Sequence, residues 1–229
     1  MSQKLLFTSE SVSEGHPDKL CDQISDAILD SCLASDPKSR VAVETLATEE
    51  RIVIAGEITS NAKPDYEKIA RDVLRKVGYL TPESGIGADS CTIEVHIKNQ
   101  SNDIARGVDS SFDTKEIGAG DQGMMFGYAS DETANLMPLP IVMAHKLVRY
   151  ASVLRHEGKL PHSRPDMKAQ VTIDYTNKEE PRIDTVVFSC QHDEEIDIEH
   201  LRKMIKEDVI LPVAISFGMN TDFKMLINP

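Results

Sequence analysis

The chain has 229 residues, and its 25 Lys plus Arg against 38 Asp plus Glu give a formal net charge of −13 at pH 7. With 40% hydrophobic and 28% charged residues it is typical of a folded protein of one or two domains. The acidic balance argues against a nucleic-acid-binding protein, and no apolar run reaches the length of a membrane span. The polar N-terminus is unlike a signal peptide, and four scattered cysteines without a CxxC pair indicate a reducing cytoplasm.

Helical and strand patterns alternate in the first half of the chain. Pro17 and Asp18 suit the first turn of a helix, and apolar residues then recur at helical spacing to about Ala34. Strands are predicted at 41–48 and 51–59, followed by an amphipathic helix from about Pro64 that Gly78 caps. Clean alternation over 91–98 predicts a half-buried strand.

The periodicity disappears between residues 99 and 130, where five of the twelve glycines lie. A loop of this length in a compact protein is usually functional or disordered. We interpret it as a lid, a backbone-lined binding turn and the boundary between two domains.

The same order of elements returns after this loop. A helix is predicted at 139–156, strands at 169–176 and 182–190, a helix at 198–209 and a short strand at 223–228. Both halves therefore follow the order helix, strand, strand, helix, strand, although they share no residue identity. We predict an α+β fold of repeated small domains, each a mixed or antiparallel sheet with helices packed on one face.

The segment before the first helix brings together an imidazole, a carboxylate and an ammonium at a helix N-terminus. Such an end attracts anions, so His16 can donate to a phosphate or ribose oxygen, and Asp18 can hold a hard cation. The alternative is structural: Asp18 complements the helix dipole, and His16 is a surface residue.

Two carboxylates interrupt apolar strands. Glu44 shares a strand face with Ala42 and Leu46, and Glu57 shares one with Val53. An unpaired buried charge is costly, so each carboxylate either faces solvent or binds something positive. The functional reading makes Glu44 a cation ligand and Glu57 an anchor for an ammonium group.

Residues 118–129 are rich in glycine, which lets the backbone approach a ligand. Asp121 and Gln122 can hydrogen-bond a polyol or a base there. The spacing fits neither a Rossmann fingerprint nor a P-loop, and an irregular connection is the alternative. Lys168, at the start of a predicted strand, either meets a phosphate or is simply solvated.

Two segments together closely resemble the S-adenosylmethionine synthetase (methionine adenosyltransferase) family. They are Phe7-Thr-Ser-Glu-Ser-Val-Ser-Glu-Gly-His-Pro-Asp-Lys19 and Gly118-Ala-Gly-Asp-Gln-Gly-Met-Met-Phe-Gly-Tyr-Ala129, and segments 22–30, 56–59, 107–109, 164–166 and 189–192 add to the likeness in the same order. The resemblance implies a cytoplasmic transferase that joins ATP and L-methionine, uses Mg²⁺ and K⁺, and cleaves the released tripolyphosphate. It also implies subunits of three α+β domains that pair as dimers, with active sites between protomers.

The resemblance also implies roles for individual residues, carried over by motif position. Residues 99–109 would form the mobile loop over the site. Met167 stands where the family usually has a small residue, which predicts slight crowding of the nucleotide. The implied site consists of catalytic His16 and Lys168; ATP-binding His16, Asp121, Asp166 and Lys168; methionine-binding Glu57 and Gln100; Asp18 and Glu10 for Mg²⁺; and Glu44 for K⁺.

The resemblance divides the chain into an N-terminal domain at 1–103, a loop at 104–117 and a central domain at 118–229. The family's third domain, which supplies part of the phosphate site, would be absent, so we expect the chain alone to have little or no activity. The alternative is a non-catalytic binding module that pairs with a full-length subunit or with a separate third domain. A kinase is a weaker alternative, because the kinase signatures are missing.

Overall fold

A computed structural model describes residues 4–99 and 123–229. In chain order, its elements are β1 (Leu6–Val12), α1 (Pro17–Ser35), β2 (Arg40–Thr48), β3 (Arg51–Thr59), α2 (Tyr66–Val77), a 3-10 turn (Pro82–Ser84), β4 (Thr92–Lys98), α3 (Leu139–His156), β5 (Ser163–Asp174), β6 (Arg182–His192), α4 (Ile198–Met204), a π-helical segment (Ile205–Ile210), α5 (Leu211–Ser216) and β7 (Lys224–Ile227). No helix within these two ranges is long and apolar enough to cross a membrane.

The described strands form two sheets with a shared plan. In the first, of order β2-β3-β4, β2 and β3 are antiparallel and β4 joins β3 in parallel. In the second, of order β1-β5-β6-β7, β5 and β6 are antiparallel and β7 joins β6 in parallel. Each half is thus a hairpin followed by a helix and a parallel strand, which confirms the predicted α+β class and the predicted order of elements.

Each sheet carries its own apolar core. In the first half, α1 buries Leu20, Ile24 and Ile28 at helical spacing against the sheet, while α2 adds Leu74. In the second half, α3 and the α4–α5 helix pack against the sheet around Phe188, which is fully buried. Helices thus cover one face of each sheet, since an amphipathic helix must bury its apolar stripe against another element.

Strand β1 was not predicted from the sequence, and it lies in the sheet of the other half. It runs antiparallel to β5, from Leu6 opposite Asp174 to Val12 opposite Lys168. Its middle residues, Thr8 to Ser11, are polar and show no apolar alternation, so the usual strand signal is missing. The N-terminal segment therefore connects the two halves. The predicted domain limits at 103, 104, 117 and 118 lie outside the described residues.

Two other elements differ from the prediction at proline residues. Strand β5 begins at Ser163, six residues earlier than predicted, and its pairing with β6 is irregular between Ser163 and Met167, a stretch that contains Pro165. The last helix continues to Ser216 instead of ending near 209. Pro212 cannot donate a backbone hydrogen bond, and the π-helical segment before it absorbs the mismatch with a bond from Leu211 N–H to the Lys206 carbonyl.

Candidate nucleotide site

A cavity of about 500 Å³ opens where the segment after β1 meets β5 and the ends of β6 and β7. Three of the predicted site residues, His16, Asp166 and Lys168, line this one cavity although about 150 residues separate the first from the others. The rest of its wall is formed by Met167, Ser189, Cys190, Gln191, Asn228 and Pro229.

Ser13 fixes the irregular start of β5 to the segment that carries His16. Its hydroxyl donates to the Pro165 carbonyl at 2.7 Å and accepts from the Met167 N–H at 2.7 Å. Its own N–H donates to the Met167 carbonyl at 2.9 Å. Ser13 is only 2% exposed, so water cannot replace these bonds easily. The Ser13 side chain thus replaces the hydrogen bonds of regular strand pairing at the residues before and after Asp166.

Gly15 allows the two segments to approach closely. A Cβ atom at this position would lie 2.3 Å from Pro165 Cβ and 2.6 Å from the Pro165 carbonyl oxygen, which leaves no room for any side chain. From the first half of the chain, the Tyr79 hydroxyl donates to the Gly15 carbonyl. Burial, aided by the charge of Asp166, raises the pKa of Tyr79 above its usual range, so the hydroxyl remains a donor.

His16 caps helix α1 and also lines the cavity. Its Nδ1 accepts a hydrogen bond from the Asp18 N–H at 3.2 Å, and it lies 3.8 Å from Asp18 Oδ2. The cap requires an unprotonated Nδ1, so in the neutral ring Nε2 carries the proton and can donate to an anion. The Asp18 carboxylate is 86% exposed. The structural and the functional interpretations of these residues are therefore compatible.

Asp166 and Lys168 occupy alternate positions on β5. Burial raises the pKa of the Asp166 carboxyl, against the opposing effect of His16. Lys168 Nζ lies 3.1 Å from Glu10 Oε2, and both side chains are about half exposed. Exposed ion pairs contribute at most about 1 kcal/mol to stability. A phosphate that enters the cavity can therefore replace Glu10 as the partner of Lys168 at little cost in free energy. Burial also raises the pKa of Cys190 to about 12, so its thiol is a neutral part of the wall.

The other predicted residues that the structure describes do not line this cavity. Glu44, opposite Ala55, lies on the exposed face of the first sheet, and Glu57, half-buried on the same face, lies beside Lys98 in the register. The predicted Gln100 and Asp121 lie outside the described residues. Within residues 4–99 and 123–229, no group of three or more His, Cys, Asp or Glu side chains could hold a metal ion.

No role is predicted from the sequence for three residues of the cavity wall, Ser189, Gln191 and Asn228. Ser189 pairs with Lys168 in the β5–β6 hairpin, so the hairpin register could have identified it. Asn228 makes two side-chain bonds to the backbone of Cys190, at 2.7 and 2.8 Å, and no local pattern indicates them. Met167 lines the cavity, but it is 1% exposed and its side chain belongs to the second core. The geometry gives no support to the predicted crowding by Met167.

Two family models match the chain. One, for the N-terminal domain of S-adenosylmethionine synthetase, matches residues 4–102, and the other, for its central domain, matches residues 116–229. An S-adenosylmethionine synthase from Mesoplasma florum is 58% identical over 224 residues, which are 98% of this chain and 59% of that protein. Proteins of the same name from Mycoplasma capricolum subsp. capricolum and Clostridium botulinum are 54% and 48% identical, over 99% of this chain and 58% and 60% of their own lengths.

Proposed function

The chain belongs to the S-adenosylmethionine synthetase family, and we propose that it carries the nucleotide-binding part of a site that makes S-adenosylmethionine from ATP and L-methionine. The observation that carries this proposal is the single cavity lined by His16, Asp166 and Lys168. The chain spans about 59% of the length of the relatives it matches, so activity, substrates and partners are all part of the proposal.

The reaction is a substitution at carbon. The methionine sulfur forms a bond to ribose C5′ while the bond from C5′ to the tripolyphosphate oxygen breaks, which leaves a sulfonium product and a tripolyphosphate. Water then divides the tripolyphosphate into phosphate and diphosphate. A thioether sulfur is already nucleophilic, so no general base is needed for the first step. The barrier lies in aligning the sulfur with C5′ and in stabilising the charge on the leaving group.

The cavity residues suit the second of these tasks. Lys168 supplies a positive charge, and it can leave its exposed ion pair with Glu10 to contact a phosphate. His16 supplies an N–H donor, and its capping bond to Asp18 fixes the ring. The His16 ring is held before the nucleotide arrives, so this donor requires little reorganisation in the transition state. Asp166, on the same wall, is available to polar groups of the nucleoside.

The donor set at the cavity edge fits a magnesium ion that arrives with the triphosphate. Mg²⁺ usually takes one or two carboxylates and completes its shell with phosphate oxygens and water, and the exposed Asp18 carboxylate can serve as such a ligand. Glu10 can become a second ligand when Lys168 leaves it. When bound, the ion would neutralise charge on the phosphate oxygens.

The methionine and potassium assignments extend the proposal to the first sheet. Glu57 would hold the methionine ammonium with Gln100, and Glu44 would be a K⁺ ligand. Both carboxylates lie on the open face of β2 and β3, opposite the core. A dimer with sites between protomers would bring this face to the cavity of a partner, and we propose this arrangement for the chain.

The first test is nucleotide binding by the chain itself, measured by calorimetry with ATP and Mg²⁺. Lys168→Met should weaken binding at least tenfold, because a charge-assisted contact to phosphate contributes roughly 1.5–3 kcal/mol. Lys178→Met removes the same charge from an exposed turn outside the cavity and should leave affinity unchanged. Equal affinities of the two variants would contradict the proposal. Chromatography after incubation with ATP, methionine, Mg²⁺ and K⁺ then measures the product.

An apolar surface supports the second candidate, a non-catalytic module that pairs with another polypeptide of the family. Met124, Met125, Phe126 and Tyr128 are 73–92% exposed, which is unusual for a run of large apolar side chains. Co-purification with a full-length relative, and product formation by the mixture that exceeds that of the relative alone, would favour pairing. Product formation by the chain alone at the rate of the relative would exclude the non-catalytic role.

A further inference from the structure

A second groove, of about 360 Å³, is bounded by the segment that leads to His16 but does not include His16, Asp166 or Lys168. One wall is a single face of α3, where His145, Arg149 and Ser152 follow one another at helical spacing. Lys19 and Gln23, one turn apart on α1, form the opposite wall. Its floor is residues 11–14 at the end of β1.

The charge of this groove is positive although the chain carries a net charge of −13. Lys19 and Arg149 both line it, and neither forms an ion pair with any residue that the structure describes. The single carboxylate of the lining, Glu14, is engaged elsewhere: its Oε1 lies 2.8 Å from Arg155 Nη2 and 2.7 Å from His156 Nε2. Two cations therefore face the groove without a counter-ion from the described protein.

Neutral hydrogen-bonding groups lie between these cations. The Ser11 hydroxyl and His145 Nδ1 are 2.6 Å apart. Burial, followed by the charge of Lys19, lowers the pKa of His145, so the ring is neutral at pH 7. In the tautomer in which Nδ1 accepts from Ser11, Nε2 carries a proton that it can donate. Ser152 is only 9% exposed, and its hydroxyl makes no hydrogen bond with any described residue. This hydroxyl borders the groove, where a ligand can replace the water around it.

We propose that this groove binds a phosphate group, either free or carried by a small metabolite, at a site separate from the nucleotide cavity. Lys19 and Arg149 provide the charge from opposite walls, and His145 and Ser152 provide neutral donors beside Arg149 on α3. A phosphate has three or four acceptor oxygens and can bond to donors on both walls of the groove, whereas a carboxylate has two oxygens in one plane. The proposal depends on this lining alone and not on the proposed catalytic function.

Inorganic phosphate is the probe for the test, and the imidazole NMR signal of His145, assigned by its loss in His145→Gln, is the readout. Phosphate binding should shift this signal saturably and raise the pKa of His145, because an anion beside the ring stabilises the imidazolium form. Arg149→Ala should weaken the apparent phosphate affinity about tenfold, since it removes a charge-assisted contact.

Two control variants separate the groove from other effects. Lys146→Ala removes one positive charge from an exposed position of the same helix that does not line the groove, and it should leave phosphate affinity unchanged. Lys168→Met removes the cation of the nucleotide cavity and should leave the His145 response unchanged. Acetate at equal concentration should bind at least tenfold more weakly than phosphate.

Four results would overturn the proposal. One is an unchanged His145 signal at saturating phosphate. Another is an equal loss of affinity in Arg149→Ala and Lys146→Ala, which would indicate general surface charge. The third is equal binding of acetate, which would indicate a site for anions in general. Loss of the response in Lys168→Met would assign the phosphate to the nucleotide cavity and would also contradict the proposal.

Discussion

Replacing Ser13 with alanine should destabilise the protein far more than its size suggests. The hydroxyl bonds to the Pro165 carbonyl and to the Met167 N–H, both at 2.7 Å, in a position that is 2% exposed. Ser13→Ala leaves both backbone groups without a partner, and each buried group without a bond costs about 1–3 kcal/mol. We therefore expect the free energy of unfolding to fall by about 2–4 kcal/mol. At this chain length, the melting temperature should fall by roughly 5–15 °C.

Urea unfolding followed by circular dichroism measures this change, and Ser11→Ala is the matched control. Ser11 lies two residues earlier, and its hydroxyl has one partner, Nδ1 of the exposed His145 side chain, instead of two backbone groups. We expect Ser11→Ala to cost less than about 1 kcal/mol, because water can replace the lost bond. Nucleotide affinity should fall only in Ser13→Ala, since only this variant releases the stretch that carries Asp166. Equal stabilities of the two variants would refute the reasoning.

Two further predictions concern the same contact between segments. Gly15→Ala should lower both stability, measured by urea unfolding, and nucleotide affinity, measured by calorimetry, because a Cβ atom there would lie 2.3 Å from Pro165 Cβ. Gly127→Ala is the control and should change neither quantity, since a Cβ atom at that position would have nothing within 4 Å. An unaffected Gly15→Ala variant would contradict the close approach of the two segments. Asp166 binds its proton more tightly in the folded state, so its contribution to the free energy of unfolding should fall as pH rises from its ordinary pKa of 3.8 through the raised value. The stability of Asp166→Asn relative to the original chain should therefore increase across this pH range, and a constant difference would show that burial does not raise this pKa.

The exposed Lys168 could be predicted as a site residue from the sequence, whereas the role of the buried Ser13 could not. His16, Asp166 and Lys168 were identified from residue type, position and resemblance, because charged groups beside a helix start or a strand start are visible in the sequence. The structure places these three residues along one cavity, and their roles there stay a prediction. No local pattern reveals the roles of Ser13, Gly15 and Asn228, because these residues act through hydrogen bonds and close contacts with residues that are distant in the sequence.

The sequence by itself determined the elements whose side chains repeat at a regular period. Helix α1 follows from Leu20, Ile24 and Ile28, and α2 ends at Gly78 because glycine adopts positive φ at low cost. Only the tertiary structure decided that β1 pairs with β5, since polar strand residues carry no period and pairing depends on which sheet edge is available. The same holds for the irregular start of β5. Local periodicity is a property of neighbouring residues, whereas the cavity exists only because Ser13 and Gly15 bring two distant segments into contact.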